Sequence, residues 1–98
     1  MLTKDDIRKT IIQNKEILDK YKVKYIALFG SYARNEQRDD SDVDFLVEFE
    51  DNTYRNFINL VYEIESLLNK KVTIVTLKGM SPYILPHVLK EAEEIERR

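Results

Sequence analysis

Asp42 and Asp44 stand one residue apart, and a Gly30-Ser31 pair precedes them with ten residues between Ser31 and Asp42. Glycine has no Cβ, so phosphate oxygens can come close to its backbone, and Ser31 adds a hydroxyl donor. The first N–H groups of a helical turn after Ser31 would lack partners and point one way, which favours an anion. Two carboxylates at alternate positions of a strand share a face, with Cα atoms ~6.6 Å apart, and can close on one ion. Like charges held that close call for a cation, and Mg²⁺ takes one or two protein carboxylates and fills its shell with phosphate oxygens and water. The two half-sites together imply a metal-dependent nucleotide site.

Each half also has a plain structural explanation: a strand-ending turn that caps a helix, and solvated acids at the head of a strand. Their conjunction argues for the chemical reading, because four fixed residues at fixed spacing arise by chance in on the order of one in a thousand chains this size.

The elements around these residues follow from the apolar pattern. Thr3 with Asp6 forms a capping-box signature, and Ile7, Ile11, Leu18 and Tyr21 recur at near-helical spacing, so one helix is expected over 4–21. The strand 23–29 runs apolar from Tyr25 to Phe29, as a strand covered on both faces does, and Gly30 ends it. Ser31 is placed to cap a short helix over 32–36, with a polar loop after it. In the next strand, 42–50, parity puts Val43, Phe45, Val47 and Phe49 on one face and Asp42, Asp44, Leu46 and Glu48 on the other. A helix over 54–69 carries Phe57, Leu60, Val61, Ile64, Leu67 and Leu68, and the β-branched run 72–77 is a third strand. A last helix, opened at Ser81-Pro82 or Leu85-Pro86, would show Val88, Leu89, Ala92 and Ile95 to the core. The order is α-β-α-β-α-β-α, an α/β domain.

The bulk numbers narrow the function classes. Ninety-eight residues make one domain, 1–98, with a single core. The net charge of −2 disfavours a domain built to grip nucleic acid. There is no cysteine, hence no thiolate nucleophile and no cysteine-bound zinc, and one histidine, His87, makes no histidine metal cluster. Neither a signal peptide nor a membrane-length apolar run is visible, so a cytoplasmic protein without a membrane partner is expected.

The segment from Leu28 to Arg34, continued by Asp39-Asp40-Ser41-Asp42-Val43-Asp44-Phe45-Leu46-Val47, closely resembles the minimal nucleotidyltransferases of the DNA polymerase β-like superfamily. Lys70 to Thr76 resembles their third strand and Ser81-Pro82-Tyr83 the loop after it, so the likeness covers about residues 20–95. It implies a nucleotidyltransferase fold of the α+β kind, with a three-stranded mixed sheet packed with helices. It also implies Mg²⁺ and ATP, with Asp42, Asp44 and Ser31 catalytic, Gly30 and Ser31 on the β/γ phosphates, and Asp42 and Asp44 on the metal. Many minimal members are antitoxins that add AMP to a tyrosine of a HEPN-type RNase toxin, which makes such a toxin the implied partner.

In one place the chain departs from the superfamily pattern. Where a third carboxylate usually stands on the third strand, this chain has Thr73. Glu48 shares the face of Asp44 but lies ~13 Å along the strand, too far to replace it. Two acids suffice for one metal. The substitution leaves open a second reading, an antitoxin that inhibits its toxin by complex formation. Transfer to a small molecule or RNA end is disfavoured, because no second, substrate-binding domain is present. Arg34 and Arg38 are candidates for phosphate or partner contact, or for pairing with nearby acids. His87 reads as a helix-surface residue, Tyr54, Ile58 and Tyr62 as the edge of the core, and Lys20, Lys22, Lys24, Lys70 and Lys71 as solvated faces.

Overall fold

A computed structural model describes residues 2–98. The first helix, α1 (Lys4–Gln13), opens on the expected capping box: the Thr3 hydroxyl accepts from the Asp6 N–H at 3.2 Å and the Asp6 carboxylate accepts from the Thr3 N–H at 3.0 Å. The helix does not continue to residue 21. It stops at Asn14, whose backbone leaves the helical region and whose side-chain amide donates to the Thr10 carbonyl at 2.8 Å. An asparagine that offers the backbone a local alternative bond is a common helix breaker. A separate turn of helix, α2 (Glu16–Lys20), follows, and Lys22 in the left-handed region (φ 60°) swings the chain into the sheet.

Strand β1 (Val23–Phe29) is central. It pairs antiparallel with β2 (Val43–Phe49) on one side and with β4 (Glu93–Arg97) on the other. Helix α3 (Tyr54–Leu68) returns the chain so that β3 (Val72–Thr76) lies parallel to β2. Helix α4 (Leu85–Glu91) precedes β4, and the sheet order is β3-β2-β1-β4. The sheet is mixed, as expected, but has four strands rather than three. The expected last helix ends at Glu91, and Ile95 lies in a strand. The segment Glu93–Arg97 is made of good helix formers, but pairing with β1 decides its state. Ile95 is buried and the charged residues Glu94 and Arg97 are exposed, as suits a solvent-facing edge strand.

The two faces of the sheet are covered unequally. On one face α1, α2 and α3 bury Ile7, Ile11, Leu18, Leu60 and Ile64 against Ile26, Leu28, Val43, Phe45 and Val47. On the other, a smaller cluster forms around Tyr25, Ala27 and Leu46, closed by Phe29, Leu77, Met80, Leu85, Val88 and Ala92. The parity expected for β2 holds: its odd residues join the large core, and Leu46 joins the small one. No helix among the described residues is long and apolar enough to cross a membrane.

Candidate active site

Asp44 and the residues around it occupy the end of the sparsely covered face. In the register Phe29 lies opposite Asp44 on β1, and Thr73 lies beside Asp44 on β3. Side chains opposite one another in adjacent strands share a face, so the line Phe29–Asp44–Thr73 crosses the sheet. The residue matched to the usual third carboxylate is therefore the spatial neighbour of Asp44, and here it is an exposed threonine.

Gly30 ends β1 with φ 77°, a conformation that side-chain-bearing residues rarely adopt. A Cβ at this position would collide with an Asp44 carboxylate oxygen and come 3.1 Å from its Cγ. The carboxylate thus sits directly against the glycine of the phosphate-type turn, and both expected half-sites share one corner of the fold.

After Gly30 the chain makes a turn rather than the expected helix over 32–36. The Arg34 N–H donates to the Gly30 carbonyl at 3.2 Å and the Glu36 N–H to the Ser31 carbonyl at 2.9 Å. Asn35 in the left-handed region (φ 59°) then stops the coil. Tyr32 and Ala33 are buried, anchoring the turn from below, while Ser31 remains half-exposed at its start. The loop that follows is pinned at two points: the Arg38 N–H donates to the Ser41 hydroxyl at 2.9 Å, and the Lys70 ammonium donates to the Asp39 carbonyl at 2.8 Å. Asp42 immediately precedes β2 rather than starting it.

The electrostatics of the corner suit a cation. Burial pushes the Asp44 carboxyl above its ordinary range, the neighbouring Asp42 charge adds to this, Arg34 opposes it, and Glu91 adds a smaller push. A bound cation would relieve all three upward influences. Asp42 and Asp44 could supply the one or two carboxylates that Mg²⁺ takes from a protein, with the remaining positions left to phosphate and water. Among the described residues no set of three or more His, Cys, Asp or Glu is arranged to hold a metal without such help.

Glu91, the last residue of α4, is the member of this corner that sequence reasoning did not find. Its carboxylate accepts from the Gly30 N–H at 3.2 Å and from the Arg34 guanidinium at 3.1 and 3.2 Å. Arg34 also meets Glu36, at 3.3 Å, so its pairing with nearby acids is the arrangement found. In the sequence Glu91 belongs to a charged run that reads as a solvated face, and only the path of α4 brings it to Gly30. The other candidates lie apart. His87 is exposed on α4, and Tyr54 and Tyr62 project into solvent from α3 instead of edging the core. A shallow hollow lined by Ile17, Tyr62, Glu63, Ser66 and Leu67 includes none of the site residues.

Residues 12–98 match the family described as "Polymerase beta, Nucleotidyltransferase". The chain belongs to this nucleotidyltransferase family. It is 45% identical over 98 residues to "Putative protein adenylyltransferase MJ1379" of Methanocaldococcus jannaschii, a match that spans 96% of this chain and 95% of its relative. It is 38% identical over 93 residues to "Protein adenylyltransferase MntA" of Thermococcus cleftensis, spanning 93% and 94%. A crystal structure of a toxin–antitoxin with AMP-PNP is similar over 93% of this chain and 73% of the other, with a TM-score of 0.75 at 26% identity. In this nucleotidyltransferase, Gly30 and Thr73 flank Asp44 at the C-terminal end of β1, and both acids, Asp42 and Asp44, are half-buried.

Proposed function

We propose that this nucleotidyltransferase moves AMP from ATP to a tyrosine hydroxyl of a HEPN-type RNase toxin and so neutralises it. The observation that carries the reading is the packing of the Asp44 carboxylate against Gly30, because it makes the metal-type and phosphate-type half-sites one site. The relatives named protein adenylyltransferases support the reaction class. The similar toxin–antitoxin structure with AMP-PNP supports a nucleotide and a protein partner. The half-exposed Asp44 and the exposed Thr73 beside it suit an acceptor carried on another protein.

In this reading Gly30 and Ser31 hold the β and γ phosphates through the turn and the Ser31 hydroxyl. Asp42 and Asp44 would hold Mg²⁺, which when bound offsets charge on the triphosphate. The acceptor oxygen bonds to the α-phosphorus as the α–β bridge breaks. Pyrophosphate leaves and the hydroxyl proton passes to solvent. The protein's contribution is alignment and fixed charge.

Incubation with the toxin partner, ATP and Mg²⁺, followed by intact-mass measurement, tests this. An AMP-sized increment on the partner that disappears with Asp42→Asn or Asp44→Asn is the expected result. Thr73 beside Asp44 supports a second reading, inhibition by complex formation. That reading predicts a tight complex and no change in mass.

A further inference from the structure

Glu91 has no part in the reaction proposed above, although it touches Gly30, one of its groups. Its carboxylate takes the Gly30 N–H and both of its oxygens face the Arg34 guanidinium. A backbone N–H at a glycine turn together with a guanidinium N–H is a donor set that phosphate oxygens use. The carboxylate is an anion of the right charge and donor preference for that set, about a third exposed, at the end of a seven-residue helix. A triphosphate arriving at the turn meets an anion already there.

We propose that Glu91 is an internal stand-in for phosphate: it occupies the anion subsite at Gly30 until nucleotide displaces it, and Arg34 then transfers from Glu91 to the nucleotide. The inference rests on the nucleotidyltransferase reading above and adds two residues to it. Arg34 becomes a phosphate-binding residue, and Glu91 sets nucleotide affinity by competing for the same donors. The competition has a structural purpose. Without nucleotide, the Gly30 turn and Arg34 are held in place by Glu91, so the subsite is formed before it is used. Exchange of one anion for another leaves the donors satisfied throughout.

Calorimetric titration with Mg-ATP and, separately, with magnesium tripolyphosphate tests the exchange. Glu91→Gln keeps the shape and an acceptor for the Gly30 amide but removes the competing charge. It should bind both ligands about five to ten times more tightly than the parent chain. Arg34→Gln should bind both at least about ten times more weakly. Melting curves establish that each variant is folded. Unchanged or weaker binding by Glu91→Gln overturns the proposal, as does a gain for ATP that is absent for tripolyphosphate, or parental affinity in Arg34→Gln. A parent chain that takes up Mg-ATP while Glu91→Gln gains nothing overturns this inference only. A parent chain that takes up no Mg-ATP overturns the proposed function and this inference with it.

Discussion

The Asp44 carboxylate lies against the Cα of Gly30, leaving no room for a side chain there. The glycine is needed for two separate reasons, its left-handed backbone and this contact. Gly30→Ala therefore faces about 1–3 kcal/mol of backbone strain, and must also move Asp44. The expected outcome is a lower midpoint in chemical denaturation together with loss of AMP transfer. A variant that melts like the parent and keeps its activity would remove Gly30 from the site.

Asp44 links function to a cost in stability. Its folded carboxyl is held above the ordinary value, first by burial, then by Asp42, against the pull of Arg34. A group with a raised folded pKa favours the fold while it is protonated, and that contribution is lost as the pH rises through the raised value. At neutral pH the ionised Asp44 therefore weakens the metal-free fold. Asp44→Asn should melt at a higher temperature than the parent at neutral pH, and the difference should vanish below the ordinary carboxylate range. The same variant should lose AMP transfer. Thermal melts across pH in chelator-treated buffer, paired with the mass assay, check both halves.

Divalent ions should act on the same balance from the other side. Mg²⁺ alone should raise the melting temperature of the parent chain, because a ligand that binds only the folded state stabilises it. The increase should be absent in Asp42→Asn and Asp44→Asn, and chelator should reverse it. An equal response in all three proteins would place the ion elsewhere.

Thr73 tests how much the missing third acid matters. It is exposed and directly beside Asp44 in the parallel pair, so Thr73→Asp would put a third carboxylate on the acidic corner. More ligand charge should tighten divalent-cation binding, by about tenfold for a gain near 1.4 kcal/mol. Without metal the variant should be less stable than the parent, since three like charges then share one corner. Faster AMP transfer would identify Thr73 as the element that limits the reaction. Calorimetry with Mg²⁺ and the mass assay read the two effects separately.

The edge strand β4 carries a structural prediction. Ile95 is its only buried residue and fills the large core beside α1. Ile95→Ala should cost about 2–4 kcal/mol, as truncation of a buried isoleucine does. Because Glu91 stands two residues before this strand, loosening β4 should also loosen its hold on the Gly30 amide and so tighten nucleotide binding. Denaturant titration and Mg-ATP calorimetry on the same variant check the pair of effects.

The local pattern determined a good deal. Strict alternation placed Asp44 and Leu46 on one face of β2 and Val43, Phe45 and Val47 on the other. The heavily apolar run of β1 announced a central strand, and the Gly-Ser turn with the two aspartates resembled the nucleotidyltransferase family to which the chain belongs. These features are legible because each depends on residues close in sequence, whose periodicity and chemistry act through the local backbone. The left-handed Gly30 also needs only its own lack of a Cβ.

Tertiary structure decided the rest. Glu93–Arg97 is helix-forming by composition, yet it extends because β1 offers an unpaired edge and Ile95 a place in the core. Glu91 reaches the Gly30 amide across 61 residues of sequence, and nothing within its charged run distinguishes it from solvated neighbours. Resemblance had matched Thr73 to the third-carboxylate position, and the parallel pairing of β3 with β2 is what sets it beside Asp44. Long-range pairing and charge placement are properties of the assembled sheet, and no window along the chain contains them.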